Sequence, residues 1–257
     1  MDLETEQIGA VRIFRLNRPE ARNSLNGEIL TGIGLGMREA DADPEVGAVI
    51  VTGTGDRAFC AGMDLRGFAQ GGGTPSTRDT EGTKAYQAFI RSGISKPVIG
   101  AANATAVAGG FELLMACDMI VASDQARFGL PEVKRALFPA GGGIFLSRRV
   151  PLALALELCL TGDYFDANRA LALGLVNRVT SPDSVMDQAL SLAGAIASNG
   201  PIAVKAIKSL VRAAAQLPPD EVWAMQEQLH PVVFGSEDAK EGATAFIEKR
   251  DPVWKGR

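Results

Sequence analysis

Residues 96–132, KPVIGAANATAVAGGFELLMACDMIVASDQARFGLPE, constrain this chain more than any other stretch. They hold an apolar strand, a small-residue turn through Gly109 and Gly110, and a short apolar helix beginning near Phe111 and Glu112. A second apolar strand follows, and then a second carboxylate, Glu132, behind Pro131. Strands alternating with helices belong to a wound α/β fold rather than a sandwich. A carboxylate beside a glycine pair at the mouth of a helix is not what core packing asks for. The helix N-terminus carries partial positive charge and unpaired N–H groups, so it suits an oxyanion or a polarised carbonyl. Glycine lets a ligand approach such a backbone closely. The stretch therefore reads as a site.

The rest of the chain is ordered around it. Residues 3–8 and the β-rich GAVRIFRL at 9–16 predict an opening hairpin. NRPEARNSLN at 17–26 breaks that pattern, a helix is expected over 30–40 despite three glycines, and DADPE at 41–45 ends it. Val and Ile content predicts a buried strand at 46–52, and FCAGMDL follows at 59–65. The polar segment with glycines at 71–73 lacks a following lysine-serine pair and reads as a loop, not a phosphate cradle. Helices are expected at 83–92, 110–116 and 151–161, and strands at 97–102, 119–122 and, last, 174–179. Beyond that the pattern is helical. The expected organisation is an α/β body over residues 1–181 and a helical region over 182–257.

Composition narrows the function by exclusion. A formal net charge of −4 leaves no nucleic-acid footprint, and no run reaches the ~18 apolar residues a membrane helix needs. Cys60, Cys117 and Cys159 are odd in number, far apart and set among apolar residues, which argues against a disulfide framework or a metal site and for a reducing, cytoplasmic compartment. The single histidine, His230, lies beside Pro231 in the helical region, and no G-x-S-x-G elbow accompanies it. It reads as a surface or subunit-contact residue. No dinucleotide fingerprint or phosphate-binding loop is present. Acid/base work falls to carboxylates.

In this order and spacing, NRPEARNSL, AFCAGMDL, KPVIGAANATAVAGGFELLMACD, FGLPEVKRALFPAGGG and EGATAFIEKRDPVWKG resemble the crotonase superfamily, the enoyl-CoA hydratase/isomerase group, over nearly the whole chain. The resemblance implies a spiral of ββα units with a helical C-terminal trimerisation region, assembled as a homotrimer or a dimer of trimers. It implies an oxyanion hole made of the backbone N–H groups of Met63 and Gly109. Glu112 and Glu132 match the two hydratase glutamates. Ala61 matches the position whose carbonyl receives the adenine amino group of coenzyme A. Arg22 and Lys249 match cations for its phosphates, Lys249 reaching a neighbouring subunit's ligand.

The implied activity is hydration of a trans-2-enoyl-CoA to the 3-hydroxyacyl-CoA, with no cofactor besides the coenzyme A thioester that is the substrate. A Δ3,Δ2-enoyl-CoA isomerase, with Glu132 moving a proton between Cα and Cγ, and a non-catalytic acyl-CoA-binding homologue are the alternatives. Asp64 reads as a loop hydrogen-bonder. Three positions depart from the family pattern: Ala104 and Ala108 stand where glycine is usual, and Phe111 replaces a smaller residue. Bulk at Phe111 is expected to tighten the acyl pocket or turn the helix. The polar loop over 66–82 is expected to help choose the acyl group.

Overall fold

The computed structural model describes residues 1–65 and 80–257, so the glycine run at 71–73 and most of the loop assigned to acyl choice lie outside the described residues. The expected hairpin is present: β1 (Leu3–Ile8) and β2 (Val11–Leu16) pair antiparallel, with Ile8 opposite Val11. From β2 onward the pairing is parallel. β3 (Ala48–Gly53), β4 (Val98–Ala102), β6 (Met119–Ser123) and β9 (Arg178–Thr180) complete a sheet in the order β1-β2-β3-β4-β6-β9. β3 and β4 are buried at every position, as unbroken apolar runs covered on both faces should be. A smaller sheet is made of β5 (Ala106–Val107), β7 (Arg127–Gly129) and β8 (Phe165–Asp166). Each circuit of the chain thus lays one strand in the large sheet before visiting the small one, which makes the body a spiral.

Helices cover both faces. α1 (Gly27–Ala42), α2 (Glu81–Ser92) and α3 (Gly109–Ala116) close one face over Phe14, Leu16, Val49 and Val51. α4 (Leu152–Thr161) and α5 (Ala167–Ala172) follow, and α6 (Val185–Ala197) seals the other face. Val185, Ala189 and Ala193, one helical turn apart, pack on Ile13, Ile50, Ile99 and Val121. α7 (Pro201–Ala214), α8 (Pro219–Phe234) and α9 (Glu237–Glu248) end the chain. No single helix among the described residues is long and apolar enough to cross a membrane.

The helix expected at 30–40 runs further at both ends because the Asn26 side chain accepts from Ile29 N and starts it early. Its glycines are packing requirements: a Cβ on Gly36 would lie 2.6 Å from Cε1 of Phe14. α2 begins before 83 because Thr80 and Thr83 form a capping box. Only Arg178–Thr180 of the strand expected at 174–179 pairs, since Gly174 takes φ +71° and Leu175 and Val176 go to the core from a turn. Their apolarity reports burial, not sheet pairing. β5, β7 and β8 are too short for alternation to reveal them.

Candidate active site

Two backbone segments meet at residues 60–64 and 106–110. The first is tied to the NRPEARNSL motif: Leu25 N donates to Gly62 O at 2.8 Å, and Asp64 N donates to Leu25 O at 2.9 Å. Fully buried Asn23 accepts from Arg18 N at 2.9 Å and donates to Ala58 O at 2.8 Å and Thr54 O at 2.9 Å. Arg18 reaches Asp64 Oδ2 at 3.4 Å, so Asp64 is a loop anchor. The polar motif is therefore a brace for the loop that carries Met63. The second segment is fixed by Val107 N donating to Cys60 O at 3.1 Å and Ala108 N to Gly129 O at 2.9 Å.

Close approach of the two segments depends on Gly62, at φ +92°; a Cβ there would stand 2.8 Å from Ala108 Cβ and 3.2 Å from Gly109 N. A Cβ on Gly109 would lie 3.5 Å from Met63 N. The N–H groups of Met63 and Gly109 thus sit side by side, and neither donates to a backbone acceptor among the described residues. Two such donors can hold one oxygen that gains negative charge. The Met63 side chain packs partly buried against the core, as apolar lining.

One turn into α3, Glu112 is 6% exposed. Its Oε1 accepts from Gly141 N at 2.7 Å and from Gly143 N at 2.8 Å. Burial raises its pKa, and these two donors oppose the shift. The glycine triplet at 141–143 is therefore a carboxylate cradle, since a Cβ on Gly141 would come within 2.7 Å of Glu112 Oε2. Glu132 follows Pro131 in the first turn of a 3₁₀ segment, Pro131–Arg135. Burial, with a smaller push from the charge of Glu112, raises its pKa from 4.5 to about 7. Its Oε2 is buried and has no hydrogen-bond partner. Two carboxyl groups twenty residues apart in sequence are thus brought within electrostatic reach, one clamped and one near its titration point at neutral pH. The thiol of Cys60, pushed up to about 12 chiefly by burial, is no nucleophile.

The expected effects of the three departures resolve differently. Phe111 does not narrow the site: it is fully buried, with ring centroids 5.5 Å from Phe128 and 5.7 Å from Phe165. Its bulk anchors α3 from below, because consecutive helical residues point to different sides. Ala104 is buried beside Asn103, whose Nδ2 donates to Gly55 O at 2.7 Å. Ala108 carries a real cost, taking φ 51° and ψ −132°, a conformation natural to glycine, immediately before Gly109.

The sequence matches the enoyl-CoA hydratase/isomerase family over residues 6–257. The chain belongs to that family. It is 39% identical over 254 residues to carnitinyl-CoA dehydratase of Proteus mirabilis, covering 97% of this chain and 96% of that one. It is 38% identical over 259 residues to enoyl-CoA hydratase EchA19 of Mycobacterium tuberculosis, covering 100% of this chain and 97% of that one. The crystal structure of an enoyl-CoA hydratase from Mycobacterium tuberculosis H37Rv superposes with TM-score 0.92 at 41% identity, covering 100% of this chain and 99% of that one. The fold is therefore the crotonase spiral.

In this enoyl-CoA hydratase/isomerase family member, Arg22 and Ala61 line one cavity of about 390 Å³ with Arg57, Ala58, Thr105, Val107 and Tyr164. Ala61 N donates to Arg22 O at 3.0 Å, which joins the two positions directly. The cavity ends where Ala61 and Val107 lead into Met63 and Gly109. Arg57 and Tyr164 escape sequence reasoning. A basic residue just before AFCAG was the one available signal for Arg57, and nothing local marks Tyr164. Gly141 and Gly143 were visible only as part of a glycine run. Lys249 lies apart, at φ 55° on the C-terminal end of α9. His230 stacks on Phe234 in α8 with ring centroids 4.2 Å apart.

Proposed function

We propose that the protein adds water across the double bond of a trans-2-enoyl-CoA to give the 3-hydroxyacyl-CoA. The observation that carries this reading is the unequal carboxyl pair beside two unspent N–H groups. Glu112, held by two donors, is the group kept anionic; Glu132, shifted to about 7, is the group that holds a proton near neutral pH. As the water oxygen bonds to Cβ, its proton passes to Glu112. The π electrons move toward the thioester, whose oxygen accepts from Met63 and Gly109 N–H, and Glu132 delivers its proton to Cα. The proton on Glu112 then returns to Glu132, so each turnover consumes one water and leaves the pair unchanged. Losing one such N–H donor costs about 2.7–4 kcal/mol in other enzymes, so the two together supply a large part of the barrier reduction.

The coenzyme A thioester is the substrate, and no further cofactor enters this chemistry. Its adenine rests at the Ala61 carbonyl, while Arg22 and Arg57 in the same cavity offer charge to its phosphates. Lys249 serves a neighbouring subunit's ligand in a homotrimer or dimer of trimers. Exposed Trp223, Phe234, Phe246 and Ile247 in the last two helices, at 60–86%, support an assembly in which residues 182–257 supply contacts and residues 1–181 the catalytic core. Three free cysteines accord with a reducing cytoplasm. The relatives' names, an enoyl-CoA hydratase and a carnitinyl-CoA dehydratase, support water chemistry on a CoA thioester.

The test is loss of the conjugated thioester absorbance of a short trans-2-enoyl-CoA, beside Glu112→Gln and Glu132→Gln. Turnover that falls by orders of magnitude in both variants is the expected result. Conversion of a 3-enoyl-CoA to the 2-enoyl-CoA without water addition assigns an isomerase. Tight acyl-CoA binding without turnover in all three proteins assigns a non-catalytic binder.

A further inference from the structure

Tyr86 on α2 is 7% exposed, yet its hydroxyl has no hydrogen-bond partner among the described residues. Buried tyrosine hydroxyls are ordinarily paired, because an orphaned one costs about 1–3 kcal/mol. Its neighbourhood is the reaction centre. α2 lies against α1 where Gly34 has no side chain, since a Cβ there would strike Tyr86 N. One turn later on the same face, Ile90 Cγ2 stands 3.8 Å from the Cβ position of Gly142, between the two glycines that hold Glu112. Burial first, and then the groups of Cys60, Glu112 and Cys117, act on the Tyr86 hydroxyl and raise its pKa well above the ordinary value. It stays a neutral donor. Cys60 begins the segment that carries Met63, so the ring sits between the oxyanion donors and the Glu112 carboxylate.

We infer that the Tyr86 hydroxyl is a specificity element that donates a hydrogen bond to an oxygen on the acyl chain just beyond Cβ, so that the preferred substrate is an oxygen-bearing enoyl-CoA rather than a plain alkyl one. The inference rests on the hydratase reading for the reaction but not for the contact itself. Glu112 Oε1 is already satisfied by two N–H groups, so no carboxylate oxygen clamped there is left to pair with this donor. A site with a buried donor discriminates strongly against a ligand that leaves it unpaired.

The contact can be tested without turnover. Hexanoyl-CoA and its two ether isosteres, 4-methoxybutanoyl-CoA and 3-ethoxypropanoyl-CoA, cannot be hydrated and differ only in where one methylene becomes oxygen. By calorimetry at least one ether binds the native protein about 10-fold tighter than hexanoyl-CoA, and Tyr86→Phe abolishes that preference while leaving hexanoyl-CoA bound as well or better. Equal binding of all three by the native protein overturns the inference, and so does an equal loss for all three in Tyr86→Phe, which marks a packing role. Parallel turnover of trans-2-hexenoyl-CoA and 4-methoxy-trans-2-butenoyl-CoA keeps the two readings apart. Ether preference without turnover of either compound refutes hydration alone, and turnover of both without ether preference refutes the role of Tyr86 alone.

Discussion

Glu132 destabilises the folded protein at neutral pH, and replacing it with glutamine measures by how much. Its carboxyl titrates near 4.5 when unfolded and at about 7 when folded. Between those values the folded chain binds a proton that the unfolded chain has released, so stability falls as pH rises through the window and the full deficit is present above it. This is opposite in sign to an acid held by a salt bridge. The whole interval corresponds to roughly 3.4 kcal/mol at ~1.36 kcal/mol per decade. Glu132 is only half-buried, and solvent screening reduces the figure to about 1.5–2 kcal/mol. Glutamine is nearly isosteric with the protonated acid and does not titrate. Urea unfolding of both proteins at one fixed protein concentration, at about pH 5 and about pH 8, isolates the effect, since every other group titrates in both chains. The expected result is near equality at the lower pH and a Glu132→Gln protein more stable by about 1.5–2 kcal/mol at the higher, with its turnover lost. A stability difference that does not change with pH, or one that favours the native chain at the higher pH, refutes the burial argument.

Three further outcomes follow from the same geometry. The kcat/KM for hydration declines above about pH 7 as the last proton leaves the pair, and declines at acid pH as Glu112 gains one. Dehydration of the 3-hydroxyacyl-CoA needs the same single proton on the other carboxyl, and the overall equilibrium takes up no proton, so the two directions must share one profile. Different profiles would remove the pair as the acid and base. Gly141→Ala, whose Cβ would intrude to 2.7 Å from Glu112 Oε2, lowers kcat about 10²-fold with a smaller change in KM; unchanged kcat would show that the cradle has no part in catalysis. Ala108→Gly relieves backbone strain of about 1–3 kcal/mol against a backbone-entropy cost of up to ~1 kcal/mol, so thermal unfolding shows a net gain of about 1 kcal/mol with activity retained.

What the sequence discloses depends on how local the cause is. β3 and β4 are continuous apolar runs and α1 follows its cap, so their existence is written in a few adjacent residues. β5, β7 and β8 pair through contacts between distant residues, such as Ala106 with Phe128, and no short window contains both partners. The site divides in the same way. Gly109, Glu112 and Glu132 lie in one stretch whose residue types conflict with plain core packing, and that conflict is legible. Gly141, Gly143, Arg57 and Tyr164 act through atoms that only the folded chain brings near, two of them through backbone N–H groups that any residue except proline carries. Phe111 is the instructive failure. A large residue directly before a site glutamate suggests a narrowed pocket when adjacency in sequence is taken as adjacency in space. On α3 the next residue is turned by about 100°, so Phe111 faces Phe128 and Phe165 while Glu112 faces the glycine cradle. The same rotation makes the aromatic cluster a support for the glutamate: truncating Phe111 to alanine would cost about 3–5 kcal/mol of core packing and loosen the helix that presents both Glu112 and Gly109.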